Sequence, residues 1–252
     1  MRIECDTWFA FFCASTSILY CFFFFLKKKR AKAIRVRCIF LITFEIKIRM
    51  LLEINPKNPD ARKIAQVVKA LEKGGVIIYP TDSVYGLGCD IFNQKAVARI
   101  CQIRKIDPEK ANLTFICKDI QQLSKYVHQI NNQLFRLLKN NVPGAFTFIL
   151  NANKEVPRHF KNKRKTIGVR VPNNPIALSI LEELGRPILS ISLKTDDEVE
   201  EFVVNPSLLH DDFQKRVDIV IDGGEGNDEP STVVDCTTDD IEILREGKGV
   251  LK

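Results

Sequence analysis

Histidine is scarce in this 252-residue chain: only His128, His159 and His210 occur, and none falls in a segment rich in hydroxyls or glycine. Histidine acid–base catalysis, a Ser-His-Asp triad and a His-based metal centre are therefore poorly supported. The eight cysteines include no C-x-x-C pair. Without His at ligand spacing, Cys89, Cys101, Cys117 and Cys236 fit buried free thiols in a reducing compartment better than zinc ligands or a disulfide framework. Neither G-x-x-x-x-G-K-[ST] nor G-x-G-x-x-G is present, which removes the P-loop and the dinucleotide fingerprint. Internal repeats and low-complexity linkers are absent as well.

Net charge is missing from most of the chain too. Residues 1–49 hold ten Lys or Arg against three acids, which accounts for the whole formal charge of +7; residues 50–252 balance 28 basic against 28 acidic side chains. The basic pI thus belongs to the leader and says nothing about what the remainder binds. Within the leader, Thr7 to Leu26 is a run of twenty uncharged, mostly apolar residues followed at once by Lys27-Lys28-Lys29-Arg30. Three readings fit. Residues 7–26 are long enough to span a membrane, with the basic run holding their C-terminal end inside. A targeting segment is the second, although the basic residues follow the apolar run rather than precede it, the wrong polarity for export. The third is upstream sequence joined to a true start at Met50. A membrane is a partner only if the leader is real, and the balanced domain over 50–252 is expected in the cytoplasm.

What is present from residue 50 onward is a charge-balanced domain within a chain that is 45% hydrophobic and 27% charged, the composition of a protein with a proper core. Asp60 can cap a helix whose apolar positions Ile64, Val67, Val68 and Leu71 recur at three and four, with Gly74-Gly75 ending it. Val76–Tyr79 reads as a short buried strand, and residues 80–88 as an irregular strand-end loop. Helices are expected at 94–104, 131–139 and 175–184. Strands are expected at 113–117, 146–150, 167–171, 188–192, 217–221, 232–235 and 241–245. This alternation predicts an α/β domain with an open twisted mixed sheet and flanking helices, because two late strands follow each other without a helix between them.

Several segments carry more polar and glycine content than a fold needs. Pro80-Thr81-Asp82-Ser83-Val84-Tyr85-Gly86-Leu87-Gly88 follows a buried strand, where open α/β sheets bind ligands; a plain turn is the bland alternative. Arg99, Arg104, Lys105 and Lys110 cross a helix end, suited either to triphosphate oxygens or to a solvated surface. Pro143-Gly144-Ala145-Phe146-Thr147 feeds a strand. In Lys163-Arg164-Lys165-Thr166-Ile167-Gly168-Val169-Arg170-Val171-Pro172, an arginine inside an apolar strand needs a partner if buried, whether an anionic ligand or a salt bridge. Ser190 and Ser192 share one strand face by period two. Pro230-Ser231-Thr232-Val233-Val234-Asp235 and Leu244-Arg245-Glu246-Gly247 complete the set. Hydroxyls, guanidiniums and glycine backbone position anions and stabilise developing charge, which suits nucleotidyl transfer without a covalent intermediate.

In this order the segments resemble the YrdC-like family. Its P-T-[DE]-[TS]-x-Y-G-L-G matches Pro80 to Gly88, P-G-x-x-T matches Pro143 to Thr147, and [TS]-x-x-V-R-x-P matches Thr166 to Pro172. Its E-S-T-[VI]-[VI]-D matches Pro230 to Asp235 with Pro in place of Glu, and R-x-G matches Arg245 to Gly247. The resemblance covers nearly all of 50–252 and none of the leader. It implies an open α/β fold with a large concave, locally positive cavity and the reaction of L-threonine, bicarbonate and ATP to threonylcarbamoyl-adenylate and pyrophosphate, a step of tRNA modification. By position it puts Ser83, Arg170, Ser190 and Ser231 near threonine, and Arg104, Thr147, Ser192 and Arg245 near ATP. It also implies Mg²⁺ with ATP and, in some members, affinity for tRNA or double-stranded RNA. No side chain is assigned as a covalent or acid–base catalyst. Two elements depart from the pattern: K-x-R falls on Gln102-Ile103-Arg104, leaving Lys105 and Lys110 as candidates for the same phosphates, and S-x-N falls on Ser192-Leu193-Lys194. The combination is closer to the YciO-like branch. A paralogue that keeps the cavity and binds RNA, without the chemistry or with another substrate, is the alternative.

Overall fold

A computed structural model of the chain describes residues 50–107, 113–157, 165–193, 204–238 and 240–252. The leader lies outside the described residues, as do His159, Lys110, Lys163, Arg164 and Lys194. β1 (Met50–Glu53) leads to α1 (Ala61–Glu72), where Asp60 accepts a hydrogen bond from the Arg62 N–H at 2.8 Å and Ile64, Val67, Val68 and Leu71 are buried. Gly74, at φ +82°, takes the left-handed position that frees the chain for β2 (Ile77–Tyr79). β3 (Gly86–Asp90), α2 (Gln94–Arg104), β4 (Thr114–Ile116), α3 (Ile120–Ser124) and α4 (Asn132–Asn141) follow. Then come β5 (Phe146–Asn151), β6 (Thr166–Arg170), α5 (Pro175–Leu184) and β7 (Ile188–Ser192). The last elements are α6 (Pro206–Phe213), β8 (Ile219–Asp222), β9 (Thr232–Asp235) and β10 (Glu242–Arg245).

The strands form one mixed sheet in the order β1-β8-β2-β3-β7-β4-β6-β5-β9-β10. β9 and β10 pair antiparallel, as adjacent strands without a crossover helix must. One expectation is corrected: residues 80–88 are not a single loop. Gly86 and Gly88 belong to β3, which returns antiparallel to β2, so the irregular part is only 80–85. The glycines are there because the sheet is tight. A Cβ on Gly86 would lie 2.8 Å from Ser190 Oγ, and one on Gly88 would lie 2.8 Å from the Tyr79 ring and 2.9 Å from Ile188. Glycine in a strand marks close approach as readily as glycine in a turn.

Period-two alternation divides the core between the two faces. Ile77, Tyr79, Ile116, Ile188, Ile219 and Ile221 pack with α1 and α5 on one face. Ile78, Leu87, Phe115, Val169 and Val220 pack with α2, α3, α4 and α6 on the other. Among the described residues, no helix is long and apolar enough to cross a membrane.

Cys89, Cys101, Cys117 and Cys236 are buried free thiols. Burial disfavours the thiolate and raises the pKa of all four, that of Cys236 to about 11, and pushes the Tyr79 and Tyr85 phenols up to about 12. These groups stay protonated in the fold at a pH where the unfolded chain ionises. Above the unfolded thiol value the unfolded chain therefore binds fewer protons, and stability falls as pH rises. The deeply buried Cys89 and Cys117 each contribute a slope of about 1.4 kcal/mol per pH unit there. The urea midpoint is thus expected to drop steeply above pH 9, and Cys117→Ala should flatten the drop. A midpoint unchanged up to pH 11 would contradict the burial of these thiols.

Candidate functional site

The helices α1 and α5 cover only part of their face of the sheet, and the transition is visible along single strands. On β7 the residues of this face run Ile188, which is packed against those helices, then Ser190, then Ser192. Strand registers extend the change sideways. Ser190, Thr114, Gly168, Ile149 and Asp235 form one row across β7, β4, β6, β5 and β9. Over these rows opens a cavity of about 930 Å³, the size class of small-molecule sites. Eight of the ten expected site residues line it: Ser83, Arg104, Thr147, Arg170, Ser190, Ser192, Ser231 and Arg245.

One corner is built by the 80–85 connection and β6. Thr81 Oγ1 donates to the Val84 carbonyl at 2.8 Å and accepts from the Ser83 N–H at 3.1 Å, which fixes both hydroxyls at the strand end. Arg170, only 7% exposed, forms an ion pair with Asp82 and also donates to Thr81 Oγ1 at 3.3 Å. The second Asp82 oxygen accepts from the Asn173 N–H at 3.0 Å. The partner an arginine in this strand requires is therefore the Asp82 carboxylate of the 80–85 connection, which stands behind the cavity lining rather than in it. The Tyr79 phenol lies fully buried behind this corner, and the Ser190 hydroxyl stands beside it without completing a hydrogen bond.

A second corner uses the C-terminus of α2, where a cation is favoured by the helix dipole. Arg104 donates to the Leu193 carbonyl at 3.0 Å, which holds it beside Ser192. Lys105, next in the chain, takes φ +53° to close the helix and is exposed, away from the cavity lining. Lys110 falls outside the described residues. At the third corner the Thr147 and Ser231 hydroxyls are 2.9 Å apart, and Arg245 reaches the Ser231 carbonyl through Nε at 3.3 Å and a terminal nitrogen at 2.7 Å. Ser231, expected on the threonine side, thus bonds directly to Thr147 and Arg245 of the ATP side. Gly247 permits the approach, because a Cβ there would lie 2.4 Å from the Pro230 carbonyl.

Thr81, Thr114, Thr166, Asn151, Asp235 and Thr237 also line the cavity. Thr81, Thr166 and Asp235 stand in segments that the sequence singles out, yet only the fold shows that they face inward, Thr166 and Asp235 by strand register and Thr81 by the turn of the 80–85 connection. Asn151 and Thr237 carry no sequence signal. The side chains lining the cavity include three arginines against one carboxylate, Asp235, a balance that suits an anionic ligand.

Comparison with known proteins identifies the family and its fold. The Sua5/YciO/YrdC family model, described as telomere recombination, matches residues 69–247. The chain belongs to this family. An uncharacterised protein of Haemophilus influenzae is 51% identical over 197 residues, covering 78% of this chain and 94% of the relative. The uncharacterised YciO of Escherichia coli K12 is 49% identical over 201 residues, 79% of this chain and 96% of that protein. A threonylcarbamoyl-AMP synthase of Coxiella burnetii is 32% identical over 181 residues, 71% of this chain and 96% of the enzyme. Among solved structures, E. coli YciO matches with a TM-score of 0.74 at 46% identity over 80% of this chain and 97% of that one. P. abyssi Sua5 complexed with L-threonine matches with a TM-score of 0.71 at 27% identity over 79% of this chain and 57% of that one. The family therefore includes threonylcarbamoyl-AMP synthases, and the mixed sheet with flanking helices is its fold.

Proposed function

We propose that residues 50–252 form an ATP-dependent synthase that converts L-threonine, bicarbonate and ATP into threonylcarbamoyl-adenylate and pyrophosphate, acting in the cytoplasm on the way to modified tRNA. The observation that carries this reading is the convergence of Ser83, Arg170, Ser190, Arg104, Ser192, Thr147, Ser231 and Arg245 on one cavity. Kinship with threonylcarbamoyl-AMP synthases and with a Sua5 that binds threonine supports the substrates. Buried free thiols suit a reducing cytoplasm.

On this reading Arg170 and the hydroxyls around it take the amino acid, its carboxylate against the guanidinium. Arg104 and Arg245 take phosphate oxygens and stabilise the charge that builds as pyrophosphate leaves. Catalysis is placement of the carbamate oxygen against the α-phosphorus, with no protein nucleophile. Among the described residues, no group of three His, Cys, Asp or Glu is arranged to hold a metal, and the cavity lining offers a single carboxylate. These residues do not make a protein cage for Mg²⁺; a hard cation here is one that arrives with the triphosphate.

Gln102, in place of the family's lysine, is exposed on α2 and outside the cavity lining. Loss of one charged phosphate contact costs roughly 1.5–3 kcal/mol, so a lower ATP affinity than in a synthase with that lysine is expected. The test is incubation with threonine, bicarbonate and ATP, reading pyrophosphate and the adenylate. Product dependent on all three substrates is the expected outcome. Absence of product together with salt-sensitive binding of tRNA would favour the RNA-binding alternative instead.

A further inference from the structure

The expected roles occupy three corners of the cavity and leave the fourth without one. That corner lies at the ends of β5 and β9, where Asn151 and Asp235 line the wall beside Thr237. It differs in charge from the others, holding the one carboxylate of a lining otherwise charged by arginine. The geometry points to this corner as a nucleobase-reading subsite, one that accepts N–H donors from the exocyclic amine of a purine. The inference rests on the adenylate-forming reading and names how the nucleotide lies in the cavity.

Three observations support it. The first is hydrogen-bond capacity. Asp235 Oδ1 is taken by the Thr237 N–H at 2.9 Å, and the Asn151 amide N–H by the Thr237 carbonyl at 2.8 Å. Asp235 Oδ2 and Asn151 Oδ1 are engaged by no described residue, so both leave an acceptor for a ligand. Two acceptors recognise a donor group and penalise a keto oxygen in the same place.

The second is shape. Between this corner and the arginines, the lining is Ile149, Gly168 and Val233, two apolar side chains and a bare glycine. Gly168 is bare because Thr114 Oγ1 and Thr147 Cγ2 crowd its Cβ position at 3.1 and 3.3 Å. A low apolar floor suits a planar ring. The third is reach. From Thr147 to Asn151, and from Ser231 to Asp235, the strands advance four residues, roughly 13 Å at the usual strand rise. That is the span of a nucleoside from its 5′-phosphate to the far edge of its base. Asp235 repels phosphate, so the charges themselves orient the ligand, with phosphates toward Arg245 and the base toward β5.

Calorimetry on the full chain tests the inference with three nucleotides: ATP, purine riboside triphosphate, which lacks the exocyclic amine, and 2′-deoxy-ATP. The wild-type chain is expected to bind ATP on the order of tenfold more tightly than the amine-free analogue. Asp235→Asn keeps an acceptor for the Thr237 N–H and should weaken ATP by a similar factor while leaving the amine-free analogue unchanged. A thermal melt of the variant checks that it folds. Equal affinities for ATP and the amine-free analogue would overturn the inference, as would equal losses for both on Asp235→Asn. A loss confined to 2′-deoxy-ATP would overturn it in favour of ribose recognition. Failure of every nucleotide to bind would remove the adenylate-forming reading together with this one.

Discussion

Replacing Arg170 by methionine is expected to weaken threonine binding about 10- to 100-fold and to destabilise the fold by about 3–5 kcal/mol. The two losses have different origins. On the proposed reading, binding suffers because a charge-assisted contact to the amino acid's carboxylate is lost. Stability suffers because Asp82, whose side chain is only 12% exposed, keeps the Asn173 N–H but loses its cation. A buried carboxylate without its partner is the costly state, more so than the absence of both charges. The double variant Arg170→Met/Asp82→Asn should therefore recover most of the stability and none of the binding. Urea denaturation and threonine calorimetry on the wild type and these two variants read the losses separately. Arg170→Lys does not rescue, since an ammonium cannot span Asp82, Thr81 and a ligand as a fork does. If the single variant loses stability while threonine affinity is unchanged, Arg170 is purely structural.

The second large effect is expected far from the cavity. Asp218, 7% exposed, accepts from the Val76 N–H at 2.8 Å and pairs with Arg99 of α2. Its backbone N–H donates to the Val76 carbonyl at 2.8 Å, and its carbonyl accepts from the Met50 N–H at 3.2 Å. One residue thus fastens the starts of β1 and β2 and a helix of the opposite layer to β8. Asp218→Ala strands the buried Val76 N–H and the Arg99 charge, a loss of about 3–5 kcal/mol where a whole domain has roughly 5–15. At about 2–4 °C per kcal/mol for a domain of this size, the melting midpoint should fall by roughly 10 °C. Below that midpoint, substrate affinities should match the wild type, because the Asp218 partners Val76, Arg99 and Met50 lie outside the cavity lining. An altered KM in folded protein would refute this separation.

Much of this was legible in the sequence, for identifiable reasons. Helices announced themselves by caps and spacing: Asp60 with its three-four apolar repeat, and the run from Pro175 to Leu184, which the structure bounds with an Asn174 cap and a left-handed Gly185. Strands 188–192 and 232–235 have the bounds their β-rich runs imply. The 80–88 segment misled because glycine serves both turns and tightly packed strands, and only Tyr79 behind β3 decides between them. β1, α3 and α6 are short, and their signals do not stand out from the surrounding polar residues. Cavity residues inside ordered motifs were found, whereas Asn151 and Thr237 were not, because facing a shared cavity is a property of register between strands far apart in sequence. The same limit applies to Lys105: charge type pointed to it, but the left-handed turn that ends α2 directs it to the surface.

The sheet order also governs when the molecule can exist at all. Met50 pairs with Ile219, and the cavity wall on β5 is closed by β9 and β10, which follow it in the chain by about eighty residues or more. Such pairing between distant segments carries a large loop-closure entropy, the regime of slow folding. A nascent chain that stops short of Arg245 lacks both a finished sheet and the third corner of the cavity. A complete sheet and a complete cavity are thus acquired together, and chains that stop before Arg245 carry neither.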